Sequence, residues 1–351
     1  MRAVRFNEFG DRDVVELVEV PAPEPGRGEV AVRVTAAAIN RFDLQVREGS
    51  AGFPIPLPWI GGMEAVGTVC DLGEGVEGWA IGDRVLRDVT DCCGACRHCR
   101  SGREWRCVRG ALTQASVSGG FAEILVCNAR RLVALPDEVP DVTAAAVQMS
   151  YGTAWHMLIT RAGLRPGEVV LVSSVGSGVG AAAADIAGHA GAFVIGTAST
   201  DEKLALASAR GLDAGINYRS ADVAAEVRRI TAGEGADVAV EHVGGAAFSD
   251  ALESLAMDGR LVTCGWHAGG KVELDLMRLV RGRRQIIGSV NRTLDDLQRC
   301  LELVARGRLT PAVAATFPLE ALRDGVALVE DRAAFGKVVI TPTAPVVERH
   351  P

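Results

Sequence analysis

Val169-Val170-Leu171-Val172-Ser173-Ser174-Val175-Gly176-Ser177-Gly178-Val179-Gly180-Ala181 is the stretch that decides the fold. Its branched apolar opening is too short for a helix and runs into serine and glycine, so residues 169–173 read as a buried strand. The alanine-rich run 181–190 reads as a helix. Between them each glycine has a physical task. Gly176 permits the turn, Gly178 lets a pyrophosphate approach the backbone, and Gly180 with Ala181 allows close helix–strand packing. The helix N-terminus offers free N–H groups and the positive end of its dipole to phosphates. Gly176, Ser177, Gly178, Val179 and Gly180 therefore form a candidate dinucleotide site rather than an empty tight turn.

Outward from that turn, strand and helix alternate. Strands are expected at 193–196, 237–241, 260–264 and 285–288, and a helix at 201–210, which is the pattern of a doubly wound parallel sheet. A further helix over 294–306 has Thr293 as its cap. The second strand runs into Gly196-Thr197-Ala198-Ser199-Thr200 with no carboxylate at its tip to take a ribose 2′-hydroxyl. Ser199, Thr200, Lys203 and Tyr218, with Arg219 beside it, offer hydroxyl and cationic groups suited to a 2′-phosphate. NADPH is the expected cofactor, ahead of NADH. His242 and Val243, with Gly244, follow a strand at the carboxyl edge and are placed on the adenosine–ribose side. Gly265 and Trp266, then Ser289, follow the next two strands and are placed toward the nicotinamide.

The first 135 residues are different. Residues 30–34 and 65–69 are short β-branched runs among turn signals such as Pro21-Ala22-Pro23-Glu24-Pro25-Gly26. Cys93, Cys96, Cys99 and Cys107 follow the spacing C-x2-C-x2-C-x7-C, which suits one tetrahedral Zn2+ in a closed, structural site. Cys92 could stand in for Cys93, but Gly94 directly after Cys93 gives the tight turn a metal knuckle needs. A disulfide framework is disfavoured by nine cysteines, an odd number, and by an N-terminus without an apolar signal core.

The 351 residues allow two domains, and 37 basic against 44 acidic residues give a net charge of −7. That balance argues against nucleic acid and anionic membranes as partners. No apolar run approaches the roughly 18 residues of a membrane span. A cytoplasmic location is expected.

The two motifs, in this order, resemble the medium-chain dehydrogenase/reductase superfamily. The opening Met1-Arg2-Ala3-Val4, the stretch Ala36-Ala37-Ala38-Ile39-Asn40, the four-cysteine lobe, Gly178-Val179-Gly180 and the closing Phe335-Gly336-Lys337-Val338-Val339 fall where that family has its motifs. The resemblance implies an α/β chain with a GroES-like, β-rich catalytic domain (1–149 and 291–351) and a Rossmann domain (150–290). It implies a substrate cleft between them and homodimers or homotetramers. Lys337 of the closing motif joins the expected cofactor contacts.

Zinc-type alcohol dehydrogenases of that superfamily carry a second, catalytic zinc, and this chain departs at each ligand position. Asn40 replaces a cysteine, Met63 the histidine of Gly-His-Glu, and Gln148 or Met149 the third ligand, while Phe42 replaces the proton-relaying Ser/Thr. An amide and a thioether are poor zinc donors. The pair Asn40 and Asp43 looks like that of the zinc-free quinone oxidoreductases and enoyl reductases. That resemblance implies NADPH-dependent hydride transfer to an activated C=C bond of an enone, quinone or enoyl thioester. Asn40 and backbone N–H groups are the candidate enolate donors, Asp43 is a structural or orienting acceptor, and Tyr151 or water a candidate proton donor, Tyr151 being equally readable as a packed residue of the junction. The competing readings are an alcohol dehydrogenase or carbonyl reductase using protein donors alone, and a non-catalytic NADPH sensor.

Overall fold

The computed structural model describes residues 1–52, 54–109, 111–112 and 119–342, which divide into two compact units. The first comprises Met1–Met149, Thr293–Ala305 and the segment from Val313 onward; the second comprises Ser150–Arg292 and Arg306–Ala312. The short stretch 306–312, expected with the first domain, packs in the second, where the Thr310 N–H donates to Asp185 at 2.7 Å.

The second unit is a six-stranded parallel sheet. Its order across the sheet is Ala214–Asn217, Phe193–Ala198, Val169–Val172, Ala236–Glu241, Leu255–Thr263, Gln285–Gly288. Chain order therefore reverses at Val169–Val172, the switch point of a doubly wound sheet. Leu171, Ile195, Leu255 and Leu261 are buried to within 1 %. Each full burial of this kind stabilises by about 1.5–3 kcal/mol, and these residues sit on strands because a sheet covered on both faces needs continuous apolar runs. The helix Gly178–His189 follows the glycine turn, with Ser177 as its cap: the Ser177 hydroxyl accepts from the Gly180 N–H at 3.0 Å. The helices Val223–Ile230 and Ala246–Glu253 complete the alternation. Neither stood out in the sequence, because eight residues carry little periodic signal.

The first unit is built on a long strand, Glu29–Ile39, which pairs antiparallel with Ala65–Leu72, Ile124–Asn128 and Lys337–Thr341. Val30, Val34, Ala36 and Ala37 on this strand are fully buried. The register shifts twice against Ala65–Leu72, between Ala31 and Val32 and between Val34 and Ala36, as at a β-bulge. The helix Arg41–Arg47 begins where the long strand ends, at Asn40. The helix Leu294–Ala305 starts at Thr293 as expected, with the Thr293 hydroxyl accepting from the Asp296 N–H and the Asp296 carboxylate accepting from the Thr293 N–H, both at 2.9 Å. Among the described residues no helix is long and apolar enough to cross a membrane.

Gly180 is the tightest point of the nucleotide turn. A Cβ there would lie 2.1 Å from the Ser174 carbonyl oxygen, a backbone atom that cannot move aside. Gly180→Ala is expected to destabilise the chain by about 1–3 kcal/mol and to weaken dinucleotide binding at least tenfold. Denaturant midpoints and NADPH fluorescence titration measure the two effects.

Candidate active site and metal lobe

The four expected metal ligands converge. The sulfurs of Cys93, Cys96, Cys99 and Cys107 all lie within 4.8 Å of one another, with Cys93–Cys99 at 3.9 Å and Cys96–Cys99 at 3.5 Å. Tetrahedral bonds of about 2.3 Å to one zinc place sulfurs roughly 3.8 Å apart, so the residues fit the ion. Gly94 takes φ +65°, the left-handed turn a knuckle requires. The Cys96 N–H donates to the Cys93 sulfur at 3.3 Å, and the Cys93 N–H to Cys107 at 3.4 Å. Backbone N–H groups of Ala95 and Cys96 pull the Cys93 thiol down to a pKa of about 6, toward the thiolate a metal takes. Cys92 stands outside the tetrad and accepts a hydrogen bond from Arg131 at 3.2 Å. With four thiolates the shell is closed, so a zinc here holds a loop and leaves no position for substrate.

Also in the first unit, Asn40, Glu64 and Lys337 form a compact polar cluster. The Lys337 ammonium lies 2.6 Å from Glu64 Oε2 and 2.6 Å from Asn40 Oδ1. Asn40 Nδ2 donates to Glu64 at 2.8 Å and to the Ala38 carbonyl at 3.2 Å. This fixes the orientation of the amide, because a flipped Asn40 would turn its NH2 against an ammonium. Glu64 is fully buried and Lys337 is 5 % exposed. The second carboxylate oxygen of Glu64 accepts the Met149 N–H at 2.6 Å.

Two expectations are corrected here. Both protons of the Asn40 amide are already engaged, so Asn40 orients Lys337 and Glu64 instead of reaching an enolate. Lys337, expected among the cofactor contacts, is an internal counter-ion of the first unit. The same geometry rules against a second zinc at this place. Met63 is buried and brings only a thioether, Gln148 turns its amide toward Asp88 at 3.5 Å, and the lysine ammonium already sits on Glu64, where it would repel another cation. Among the described residues the cysteine tetrad is the one convergent group of three or more metal-binding side chains.

Asp43 is an acceptor, as expected. Its carboxylate takes the N–H of Asn40 at 2.8 Å and of Met63 at 3.0 Å, joining the start of the helix Arg41–Arg47 to the loop that carries Met63 and Glu64. Burial raises its pKa to about 6, against the opposing hydrogen bonds and the Lys337 charge. Tyr151 corrects a third expectation. It lies in the second unit, 2 % exposed, with its hydroxyl donating to Asp185 at 2.6 Å, and Asp185 also accepts from Thr310. Tyr151 is a packed residue held by a carboxylate, an arrangement that does not suit proton delivery.

The nucleotide edge gathers most of the remaining candidates. The Ser177 hydroxyl donates to the Ser174 carbonyl at 2.9 Å, accepts from Gly180, and lies 2.8 Å from His242 Nε2. The ring tautomer sets which of Ser177 and His242 donates in this contact. Burial lowers the His242 pKa to about 4, which keeps the ring neutral. The Lys203 stem lies over the turn, where a Cβ on Gly176 would sit 3.0 Å from its Cδ. Thr200 caps the next helix, Asp201–Ser208, by accepting the Lys203 N–H at 3.4 Å, and Ser199 precedes it. The Tyr218 ring is 41 % exposed on the neighbouring strand end, with its N–H on the Ala198 carbonyl at 3.1 Å. Gly265 follows the strand Leu255–Thr263 so closely against His242 that a Cβ would lie 2.1 Å from its carbonyl oxygen. Trp266 is 56 % exposed, and Ser289 is buried with its N–H on Thr263 at 2.8 Å.

Glu241 and Thr197 were missed in the sequence. Fully buried Glu241 accepts the N–H groups of Val243 and Gly244 at 2.6 and 2.8 Å and the Thr263 hydroxyl at 3.1 Å, and so shapes the loop after its strand. The Thr197 hydroxyl accepts the N–H of Ser174, which holds φ +54°. The available signal was a carboxylate directly after the apolar run Val238-Ala239-Val240.

Because the folded pKa of Asp43 lies above its ordinary 3.8, the folded chain holds the extra proton between pH 3.8 and about 6. The contribution of Asp43 to stability is therefore full below that window and lost as pH rises through it, on the order of 3 kcal/mol in total. Asp43→Asn is expected to flatten this slope in urea midpoints measured from pH 4 to 7.

The chain matches the zinc-binding dehydrogenase family over residues 178–306 and the alcohol dehydrogenase GroES-like domain over residues 26–137. An acryloyl-coenzyme A reductase of Sulfurisphaera tokodaii is 30 % identical over 95 % of this chain and 98 % of its own. Another, of Metallosphaera sedula, is 33 % identical with the same coverage. A crystal structure of an NAD-dependent alcohol dehydrogenase superposes with a TM-score of 0.93 at 38 % identity, covering 98 % of this chain and all of the other. With two matching domain families, relatives along its whole length and a glycine-turn sheet of their type, the chain belongs to the zinc-type alcohol dehydrogenase-like medium-chain dehydrogenase/reductase superfamily and is an NAD(P)H-dependent oxidoreductase.

Proposed function

We propose that the protein reduces activated C=C bonds of enones, quinones or enoyl thioesters with NADPH, without a catalytic zinc. The observation that carries this reading is the Asn40–Glu64–Lys337 cluster, where a buried ammonium takes the cationic place beside Glu64 and no open zinc site can form. An alcohol needs a Lewis acid or a strong base to become an alkoxide. A conjugated carbonyl accepts hydride at its β-carbon and moves charge to oxygen without one. The named relatives that act on acryloyl-coenzyme A support the same direction.

When bound, the dihydronicotinamide supplies a hydride to the β-carbon. The π electrons move to the carbonyl oxygen, and the enolate takes a proton from water at the α-carbon. The chain's part is positional. The N–H groups of the first turn of the helix Gly178–His189 would hold the pyrophosphate, and Ser177 and His242 fix the turn. Asn40 and Lys337 fill the lone pairs of Glu64 and hold the loop that carries it. NADPH is preferred because the strand Phe193–Ala198 ends in Ala198-Ser199-Thr200 with no carboxylate, and Lys203 lies over the turn. Asp201, the nearest acid, is held by Asn217 at 2.8 Å.

We also propose a homo-oligomer. Gln285–Gly288 is an edge strand paired on one side. The adjacent helix Leu276–Arg281 exposes Leu276, Met277 and Val280 at 64, 57 and 71 %. An open sheet edge beside an apolar helix suits a second copy of the chain, which would pair the strands edge to edge about a two-fold axis. Val280→Asp is expected to shift the mass in light scattering to that of a monomer. An unchanged mass would remove this face from the interface.

Parallel assays of NADPH oxidation with an enone, a quinone, an enoyl thioester and an aldehyde test the activity. Turnover of at least one of the first three, a higher kcat/KM with NADPH than with NADH, and about one zinc per chain are expected. Two zincs per chain, or oxidation of alcohols alone, would overturn the reading.

A further inference from the structure

The metal lobe carries a surface that its zinc does not explain. Arg97, Arg100, Arg103, Arg106 and Arg109 are all exposed in the sequence Arg97-His98-Cys99-Arg100-Ser101-Gly102-Arg103-Glu104-Trp105-Arg106-Cys107-Val108-Arg109. Exposed Arg130 joins them, its guanidinium 3.4 Å from where a Cβ on Gly94 would lie. The chain as a whole is acidic, at −7. A zinc with four thiolates carries two negative charges, and Arg109, hydrogen-bonded to Cys93, answers part of that. The lobe's single carboxylate is Glu104. Six arginines against these few negative charges leave a local excess of positive charge. Arg97 points its Nε at His98 and Arg103 at Ser101, both neutral partners, and Arg106 stacks on Trp105 at 5.2 Å. Among the described residues none of the six pairs with a carboxylate.

The patch is made entirely of arginine, with no lysine. A guanidinium fork binds phosphate through two parallel hydrogen bonds, which an ammonium cannot do. The lobe is pinned by its tetrad, so the arginines project from a fixed frame and lose less entropy on binding than the same residues on a free loop would. It is also anchored to the unit that holds Asn40 and Lys337. Arg131 contacts Cys92 and forms a buried ion pair with Asp88, and Gln148, next to Met149, reaches Asp88 as well.

We propose that this arginine lobe binds the phosphates of a coenzyme A thioester, making enoyl-coenzyme A esters the substrate class. The inference rests on the reduction of activated double bonds proposed above. It places the recognition energy on the nucleotide end of the substrate, remote from the reacting carbons, where it lowers KM and leaves the chemical step unchanged. A flat Trp105–Arg106 stack beside phosphate-binding forks is suited to a purine carrying phosphates.

The test uses the full, zinc-loaded chain with its dinucleotide site saturated by NADP+, so that coenzyme A cannot enter there. Calorimetry with free coenzyme A compares the wild type with the triple variant R100Q/R103Q/R106Q, with Arg130→Gln, which lies outside the cysteine loop, and with Arg299→Gln, whose guanidinium is paired with Asp295, as control. Zinc content and melting temperature establish that each variant is folded. The triple variant is expected to lose tenfold or more in affinity, Arg130→Gln severalfold, and the control nothing. In turnover, the triple variant should raise KM about tenfold for crotonyl-coenzyme A at constant kcat, and leave KM for crotonyl-pantetheine unchanged. No binding of coenzyme A, equal binding by the folded variants, or a duplex oligonucleotide bound as tightly as coenzyme A would overturn the proposal. Coenzyme A binding that depends on the arginines, in a protein that reduces no activated double bond, would uphold the lobe and defeat the reductase reading. Enone reduction without coenzyme A binding would do the reverse.

Discussion

A single buried carboxylate, Glu64, organises the first unit. It has no contact with water, and its oxygens collect three donors from three remote stretches of chain: Asn40 at the end of the long strand, Lys337 near the carboxyl end of the sequence, and the main-chain N–H of Met149 where the chain leaves the unit. Its own carbonyl oxygen presses on Gly120, where a Cβ would lie 2.3 Å away. A charge at such a site is tolerable only if it is paired and its lone pairs are filled, and removing one partner of a buried pair costs about 3–5 kcal/mol. Asn40, Lys337 and the Met149 N–H therefore behave as one arrangement around Glu64. A cysteine at position 40 would strip Lys337 and Glu64 of the amide that bridges them, so a metal ligand there would have to come with changes at its neighbours.

How much of this was legible in the sequence follows from how local each feature is. The glycine turn was readable because strand, glycines and helix are consecutive, and the reason for each glycine is a contact within a few residues. The cysteine tetrad was readable for the same reason, its ligands falling within 15 positions. The alternation of the second unit gave the strand Gln285–Gly288 at its observed bounds and the strand Val169–Val172 to within one residue. Lys337 was misassigned because its partners are 273 and 297 residues away, and nothing in Phe335-Gly336-Lys337 distinguishes an ammonium facing a phosphate from one facing a buried glutamate. Tyr151 was misjudged in the same way. Its position at the junction was plain, but the acceptor that holds its hydroxyl, Asp185, lies on the helix after the glycine turn and marks itself only as one polar residue among alanines. Asn40 was found as a residue and missed as a geometry, since its type shows that it can donate but not that both of its protons are taken.

The nucleotide turn shows how a neutral histidine can serve a site without reacting. His242 extends the hydrogen-bond chain from Ser174 through Ser177 and leaves Nδ1 buried at the carboxyl edge of the sheet. Because burial holds it neutral, it adds no charge where the helix dipole already favours an anion, and the turn keeps the same net charge at ordinary pH.

The order of strands in the first unit also bears on how the chain is made. Lys337–Thr341 lies inside the sheet, between Glu29–Ile39 and Val313–Pro318. On the ribosome, the long strand must therefore wait for a neighbour synthesised some three hundred residues later, and until then one of its edges stays open. The parallel sheet of the second unit is encoded almost without interruption and can close first. The domain encoded first is thus the last to be completed, and during that interval the thiolate lobe is one of the few parts of it that a local bond, to a metal, can already hold in shape.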